Sequence, residues 1–208
     1  MLVGGSGLYV WTVVEGWQIP EVAPNLEFRQ CLESRATRGE GEELYRELAR
    51  IDPAAALRID GRNVRRVIRA LEVASSGVSP RPIGRVPPPY STLLIGLTTE
   101  RKELYRRIDL RVDTMIEQGL VSEVKGLLEA GYSMELPAMA GIGYKQIGLY
   151  LEGELTLEAA VQQIKTETHR LVRRQYNWFR LKDERIRWFD VGDGETEAGV
   201  EVLVAGFL

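Results

Sequence analysis

The stretch Leu2-Val3-Gly4-Gly5-Ser6-Gly7 runs from two apolar residues into a glycine-rich turn. This pattern is typical of the end of a buried strand followed by a strand-to-helix turn. Leu93–Leu97 is a second apolar run and predicts a buried parallel strand, and Arg187–Val191 predicts a third strand more weakly. Three short strands are few for a chain with this much helical periodicity. We therefore expect an α/β protein whose parallel sheet has further strands N-terminal to Met1.

Amphipathic patterns predict helices on both sides of the second apolar run. Asn25–Glu33 and Gly41–Arg50 are polar, amphipathic and bounded by prolines, which indicates a small helical insertion. Ser79–Pro89 holds five of the nine prolines and predicts a linker or an exposed loop. The other predicted helices are Arg62–Ser75, Thr99–Gln118, Leu120–Ala130 and Thr156–Phe179.

The composition is that of an ordinary globular protein. The chain has 208 residues, of which 44% are hydrophobic and 27% charged. It contains no apolar stretch of membrane-spanning length, and its start lacks the features of a signal peptide. A single cysteine, Cys31, excludes an internal disulfide, and a single histidine, His169, argues against a Cys/His zinc site. We therefore expect a cytoplasmic protein without a membrane partner.

The charge distribution bears on nucleic-acid binding. The net charge is −3, so any such binding needs a local basic face. The arginines are concentrated in the segments 58–69 and 170–180. A solvated helix face explains either cluster alone, but two clusters in one acidic chain favour a functional interpretation.

Two segments combine close backbone approach with stacking surfaces. Ala140–Lys145 reads AGIGYK, and glycines at 141 and 143 permit positive φ and a close approach of the backbone. Arg173–Arg180 reads RRQYNWFR and alternates phosphate-binding guanidinium groups with flat side chains. Together they predict a pocket for an unstacked RNA base. A turn followed by an amphipathic helix with solvated arginines is the alternative, and these segments alone leave it open.

Arg107 and Arg111 are one helical turn apart and can point two guanidinium groups at one anion. Asp109 and Asp113 are alternative partners for these arginines, and the spacing alone favours that salt-bridged alternative. His169 lies in the last long helix without a partner constellation. We interpret it as structural or RNA-facing and not as a catalytic base.

Six segments of the chain, taken in order, match the sequence pattern of one protein family. They are LVGGSGLYV (Leu2–Val10), RRVIRALEV (Arg65–Val73), LYRRIDLRVDTMIEQGLVSEV (Leu104–Val124), LPAMAGIGYKQ (Leu136–Gln146), YLEGE (Tyr150–Glu154) and RRQYNWFR (Arg173–Arg180). In this order they resemble the tRNA dimethylallyltransferase family, whose members are also called tRNA isopentenyltransferases. The resemblance runs nearly from end to end of the chain.

The resemblance implies a P-loop-kinase-like parallel sheet core, N-terminally incomplete here, with a small helical insertion and a helical C-terminal part. It also implies transfer of a dimethylallyl group from dimethylallyl diphosphate to N6 of the adenosine immediately 3′ of the anticodon in tRNA. The partners are then the tRNA anticodon stem-loop and dimethylallyl diphosphate, with Mg²⁺ as cofactor, and members are usually monomeric. Such chemistry needs a base for the amine, cations for the leaving diphosphate, and a flipped target base.

The resemblance assigns roles to individual residues. Ser6 takes the place of a GGT threonine that lines the reaction channel near the target base, so it is both a catalytic and a tRNA-binding candidate. Arg111 matches a catalytic arginine that helps hold the diphosphate, and Arg107 is a supporting charge. Arg29 matches a tRNA-contacting arginine. The other implied tRNA contacts are Arg65, Arg66, Val67, Ile68, Arg69, Ala140, Gly141, Ile142, Gly143, Tyr144, Lys145, Arg173, Arg174, Gln175, Tyr176, Asn177, Trp178, Phe179 and Arg180.

The chain departs from the family pattern in three places. Ala140 replaces a glutamine or another polar residue, and His169–Val172 departs from the commoner R-x-Y-A pattern. The 208 residues also contain no G-x-x-x-x-G-K-[ST] phosphate loop and no strand that carries the family's aspartate base. We therefore expect roughly 60–100 residues to be absent, the Mg²⁺ ligands among them, and the chain alone to be inactive.

The expected domain organisation has three parts. Residues 1–19 are part of the α/β core, residues 20–58 are the helical insertion, and residues 59–208 hold the rest of the core and the C-terminal tRNA-binding helices. Two alternative functions are a non-catalytic RNA-binding fragment and an adenylate isopentenyltransferase. The basic and aromatic C-terminal helix argues against the latter, because a mononucleotide needs no such extended surface.

Overall fold

The computed structural model describes residues 1–77 and 84–208. Its elements are α1 (Gly7–Glu15), α2 (Leu26–Thr37), α3 (Gly41–Ile51), α4 (Pro53–Ala56), α5 (Val64–Ser75), β1 (Leu94–Thr98), α6 (Arg101–Glu117), α7 (Leu120–Glu129), a 3-10 helix (Pro137–Ala140), α8 (Tyr144–Leu151), α9 (Leu157–Trp178), β2 (Ile186–Asp190) and α10 (Thr196–Ala205). The chain forms two compact units. The first unit consists of Met1–Leu8 together with Ser91–Leu208, and the second unit is Tyr9–Tyr90. The predicted domain bounds 1–19, 20–58 and 59–208 differ from these units and stay a prediction.

The sheet of the first unit is parallel. Strand β1 pairs with β2 in a register that runs from Leu94 opposite Ile186 to Thr98 opposite Asp190. The predicted α/β class and both of these predicted strands are confirmed. The predicted burial of β1 is only partial, because its residues are half-buried apart from Leu97, which is 61% exposed.

The first residues do not form the predicted strand end. Leu2 and Val3 are 62% and 79% exposed and belong to no strand. A strand requires a hydrogen-bonded neighbour, and within residues 1–77 and 84–208 none pairs with residues 1–6. The second half of the prediction, a helix after the glycines, is confirmed, since α1 begins at Gly7.

The helices of the first unit pack around their own apolar core. Its fully buried members include Val124, Ile147 and Ile164, from α7, α8 and α9. The predicted helices Thr99–Gln118, Leu120–Ala130 and Thr156–Phe179 are confirmed as α6, α7 and α9 with ends that differ by at most two residues. Gly119 and Gly131, at φ +101° and +89°, end the first two of them.

The second unit is a bundle of short helices. Leu44, Leu48, Val67 and Leu71 form its core with further residues of α2 and α4. The predicted helices at 25–33, 41–50 and 62–75 are confirmed as α2, α3 and α5. Of the predicted linker Ser79–Pro89, residues 79–83 lie outside the described residues. The rest is exposed apart from the half-buried Pro88, and Arg85 forms an isolated antiparallel bridge with Trp17.

A buried carboxylate joins α2 to α5. The side chain of Glu72 is only 2% exposed and accepts hydrogen bonds from the side chains of Arg29 and Arg69 and from the backbone N–H of Asn25. Burial raises the pKa of Glu72, but the hydrogen bonds from Arg29, Arg69 and Asn25 outweigh burial and hold the pKa at about 2. This ion-pair cluster therefore stabilises the unit while Glu72 is ionised.

This pKa predicts acid sensitivity of the second unit. The folded-state pKa of about 2 lies below the ordinary value of 4.5, so the stabilisation is complete above pH 4.5 and is lost as the pH falls from 4.5 towards 2. The contribution is on the order of 3 kcal/mol. Urea unfolding at several pH values should show this loss as a decrease in the free energy of unfolding. The free energy of unfolding should fall less steeply with falling pH in Glu72→Gln than in the wild type, and this difference isolates the contribution of Glu72 from that of the other acids. An identical pH dependence in the two proteins would contradict the prediction.

Candidate functional site

The glycines at the start of the chain lie against the end of α9. Gln175 donates a hydrogen bond from Nε2 to the carbonyl oxygen of Gly5 at 3.3 Å. A Cβ on Gly5 would lie 2.3 Å from that nitrogen, and a Cβ on Gly7 would lie 2.2 Å from Cγ of Trp178. The structure thus places Ser6, which is exposed, between two residues that contact the RRQYNWFR segment.

Arginine side chains at the end of α9 are free to bind an anion. Arg173 and Arg174 are exposed, and neither forms an ion pair or hydrogen bond with any residue that the structure describes. Arg180 follows the helix and is also exposed, whereas Arg170 pairs with Glu167 one turn earlier. The positive charges of Arg173 and Arg174 are thus not neutralised by a carboxylate of the described residues, on a chain of negative net charge.

The aromatic residues of this segment divide between packing and exposure. Tyr176 and Phe179 are half-buried, and Trp178 is 39% exposed while its ring covers Gly7. Asn177 is exposed. Trp178 therefore has a packing role, and base stacking by this segment stays a prediction.

The arginines of α6 are not paired as the spacing suggested. Asp109 lies 3.0 Å from Nε2 of His169, and Asp113 lies 2.7 Å from Nζ of Lys165, so both acids face α9. The salt-bridged alternative for Arg107 and Arg111 with these acids is wrong, because residues two apart point to different sides of a helix.

The actual partner of Arg107 is Glu103. Arg107 donates from Nε to Glu103 at 2.8 Å, and Arg106 also binds that carboxylate, so their hydrogen bonds lower the pKa of Glu103 to about 2. Arg111 is exposed and has no ion pair or hydrogen bond among residues 1–77 and 84–208. Arg111 is thus the guanidinium of this pair that is available to a ligand.

An open groove of ≈ 380 Å³ lies along this face of α6. Arg107 and Arg111 line it together with uncharged side chains, and the full lining is Arg107, Leu110, Arg111, Thr114, Met115 and Gln118. Leu110 is 58% exposed there. Two guanidinium groups beside an apolar side chain suit an anion that carries a hydrocarbon part.

His169 has partners that the sequence did not reveal. Its ring stacks on that of Tyr105 at a centroid distance of 4.0 Å and an interplanar angle of 10°. Its Nε2 lies within ion-pair distance of Asp109 but outside hydrogen-bond geometry. The interpretation that His169 lacks a partner constellation is therefore wrong, and its contacts place it at the seam between α6 and α9.

The segment Ala140–Lys145 is more helical than predicted. Ala140 ends the 3-10 helix and Tyr144 begins α8, so only residues 141–143 lie between helices. Gly143 has φ +103° and needs glycine, so of the two glycines that permit positive φ only this one uses it, whereas Gly141 has φ −63°.

Side-chain hydrogen bonds hold this turn in place, while two of its residues remain exposed to solvent. Gln146 is buried and accepts a hydrogen bond from the N–H of Gly143 at 2.9 Å. Tyr144 donates its hydroxyl to Glu123, which raises the pKa of Tyr144. Ile142 is 38% exposed, and Lys145 is exposed without an ion pair to the described part of the chain.

The predicted site residues of the second unit fall into three groups. Arg29 and Arg69 are half-buried on Glu72. Arg65 and Arg66 are exposed. Val67 and Ile68 lie in the core and are 1% and 4% exposed, so their side chains cannot contact RNA. In the segment 65–69 the predicted RNA contacts are therefore limited to the arginines.

The described residues form neither a metal-ligand cluster nor a membrane span. Residues 1–77 and 84–208 hold no group of three or more His, Cys, Asp or Glu side chains that could bind a metal ion. No helix in the same ranges combines the length and apolar character needed to cross a bilayer.

The arrangement defines an α/β protein with two arginine-bearing faces in its first unit, one on α6 and one at the end of α9. Residues 1–182 match the family model described as IPP transferase, and the chain belongs to this family. A tRNA dimethylallyltransferase of Dehalococcoides mccartyi is 47% identical over 210 residues, which cover 100% of this chain and 64% of that protein. One of Thermomicrobium roseum is 49% identical over 193 residues, which cover 92% of this chain and 58% of that protein.

Solved structures agree with this assignment. A tRNA isopentenylpyrophosphate transferase of Bacillus halodurans is 36% identical with a TM-score of 0.59 over 96% of this chain and 63% of its own. A eukaryotic dimethylallyltransferase, described as acting on tRNA, has a TM-score of 0.67 at 23% identity over 97% of this chain and 54% of its own, and it supports the P-loop-kinase-like fold alone. The chain thus spans less than two thirds of the length of these relatives.

The turn before α8 predicts a position-specific effect. Gly143→Ala should lower the free energy of unfolding by about 1–3 kcal/mol, because its φ of +103° is strained for any residue with a Cβ. Gly141→Ala is the matched control: a Cβ there meets only the carbonyl oxygen of Ala138 at 3.5 Å, so stability should change little. Urea unfolding of both variants measures this, and equal losses would contradict the geometry of the turn.

Proposed function

We propose that the chain belongs to an enzyme that transfers a dimethylallyl group from dimethylallyl diphosphate to N6 of the adenosine immediately 3′ of the anticodon in tRNA. The observation that carries the proposal is the set of unpaired guanidinium groups, Arg111 on α6 and Arg173 and Arg174 on α9, in a member of the IPP transferase family. The tRNA dimethylallyltransferases among its relatives support the same substrate pair.

In this proposal Arg111 receives the diphosphate. Negative charge builds up on the leaving diphosphate as the allylic C–O bond breaks, and a fixed cation lowers the free energy of that state. Arg107 lines the same groove but shares its charge with Glu103, so it is a supporting group. Leu110, exposed beside them, offers an apolar contact to the allyl chain.

The tRNA contacts lie at the end of α9 and in the turn before α8. Arg173, Arg174 and Arg180 bind backbone phosphates, and the hydroxyl of Ser6 lies beside the flipped base. The exposed Lys145 adds a phosphate contact next to residues 141 and 142, which are also exposed. Such a substrate also implies that the protein works in the cytoplasm, where tRNA is found.

The family relationship supports Mg²⁺ as cofactor. Residues 1–77 and 84–208 hold no group of three or more acidic, His or Cys side chains that could bind a metal ion by themselves. Magnesium that accompanies a diphosphate needs only one or two carboxylates besides the phosphate oxygens.

An RNA-binding function without catalysis is not favoured, because the similar proteins are named as tRNA dimethylallyltransferases. An adenylate isopentenyltransferase is not favoured, because the relatives are tRNA enzymes and the free arginines of α9 exceed what a mononucleotide requires. Binding of pyrophosphate at Arg111 separates prenyl transfer from simple RNA binding.

Arg111→Ala should weaken binding of inorganic pyrophosphate and of dimethylallyl diphosphate by about 1.5–3 kcal/mol, the value of one charge-assisted contact. Affinity for an unmodified tRNA anticodon stem-loop should stay within about twofold. Arg106→Ala, on the same helix but paired with Glu103, is the control and should leave both affinities unchanged. Isothermal titration of each ligand measures these effects. Equal losses for diphosphate and RNA in the Arg111 variant would make Arg111 a structural residue.

The double variant Arg173→Gln and Arg174→Gln should bind the stem-loop more weakly and with a shallower dependence on salt. Each lost phosphate contact lowers the log–log salt slope by about 0.7–0.9, so the slope should fall by roughly one to two. The double variant Arg38→Gln and Arg46→Gln removes the same charge from arginines that are paired with Glu40 and Glu42. Fluorescence anisotropy at several salt concentrations compares the two. The same affinity and slope in both would reject α9 as the RNA-binding surface.

A further inference from the structure

Glu72 is saturated with donors from three directions. Its Oε1 accepts from Nε of Arg29 at 2.9 Å and from the backbone N–H of Asn25 at 2.7 Å. Its Oε2 accepts from Nη2 of Arg29 at 2.7 Å and from Nη1 of Arg69 at 2.6 Å. The carboxylate therefore fixes the planes of two guanidinium groups that come from different helices, α2 and α5.

Both arginines keep donors for an outside ligand. Arg69 uses Nη2 for the carbonyl oxygen of Val22 at 3.0 Å, which leaves its Nε–H, and Arg29 keeps its Nη1 donors without an acceptor in the described parts of the chain. Their side chains are 34% and 38% exposed, in contrast to 2% for Glu72. Two guanidinium groups around one carboxylate also leave a net charge of +1.

The surroundings add charge of both signs. The carboxylate of Glu33, one turn after Arg29 on α2, acts on Arg29, whereas a further arginine lies on α5. Arg65 lies one turn before Arg69 on the same face of α5, is exposed and has no ion pair within residues 1–77 and 84–208. Guanidinium forks match the geometry of phosphate oxygens, and a fork already held in place loses less rotamer entropy when it binds. The cluster is thus prepared for a phosphate before any ligand arrives.

We infer that Glu72 is a positioning residue that holds Arg29 and Arg69 as a two-arginine clamp for a backbone phosphate of the bound tRNA. The inference rests on the proposed function, because the same RNA is the ligand. Glu72 touches no RNA in this arrangement and acts only through the two arginines.

The test uses the sign of the effect of Glu72→Gln on affinity for an unmodified anticodon stem-loop. This substitution removes a negative charge, so a face that acts by charge alone should bind RNA more tightly. A clamp that loses its anchor should bind about ten- to a hundredfold more weakly, the value of one charge-assisted contact. Glu42→Gln makes the same charge change beside Arg46 on α3 and should not weaken binding. Tighter or unchanged binding by the Glu72 variant would overturn the clamp.

If Glu72→Gln disturbs folding, a second variant, Arg29→Lys, tests the clamp. Arg29→Lys keeps Glu72 and the positive charge but cannot form a planar fork, so it should also lose about tenfold in affinity. Hydrogen exchange of α2 and α5 shows whether each variant keeps its fold. In a variant with both substitutions the losses should not add, because both act on one clamp. Wild-type affinity in a folded Arg29→Lys protein would overturn the inference.

The outcome is separable from that of the proposed function. If the double variant Arg173→Gln and Arg174→Gln binds RNA like the wild type, the proposed RNA function fails at α9. If that double variant binds weakly while Glu72→Gln binds as tightly as the wild type or more tightly, only the clamp fails.

Discussion

Two polar pairs between α6 and α9 set the orientation of the first unit's candidate site. Asp109 and Asp113 are one turn apart on α6 and meet His169 and Lys165, which are one turn apart on α9. The two helices run in opposite directions along this seam. With both acids turned towards α9, the opposite side of α6 presents Arg111 to solvent without a carboxylate beside it. The guanidinium group of Arg111 is therefore available to an anion because the neighbouring acids, Asp109 and Asp113, face α9 on the opposite side of α6.

These pairs select an arrangement more than they stabilise it. Asp113 is 48% exposed, and an ion pair of this kind, here with Lys165, contributes about 0–1 kcal/mol. Asp109 is 43% exposed and contacts His169 without a hydrogen bond. Buried Val112 and Ile164 supply the apolar contact between the same helices, and such contact tolerates rotation of one helix against the other. The hydrogen bond from Nζ of Lys165 to Asp113 is directional and limits that rotation, which keeps Arg111 on the solvent side of α6.

The sequence predicted the elements whose signals are local. The apolar run at 93–97 and the long amphipathic helices are found at nearly the predicted bounds, because periodicity reports which face is buried. Helix α8 was missed because it begins at Gly143 without a Ser, Thr, Asp or Asn cap, and α10 because none of its residues is buried. Side-chain partners were missed for another reason. Asp113 and Lys165 are 52 positions apart, and Glu72 and Arg29 are 43 apart, so no local spacing could pair them.

The contact between Gly5 and Gln175 joins residues 170 positions apart. A loop of that length closes slowly, because the entropy of the intervening chain must be lost before the contact forms. During synthesis the glycines emerge before α9 and must wait for it. We expect the surface around Ser6 to be completed only after α9 has emerged, later than the helices of the second unit, which precede α9 in the chain.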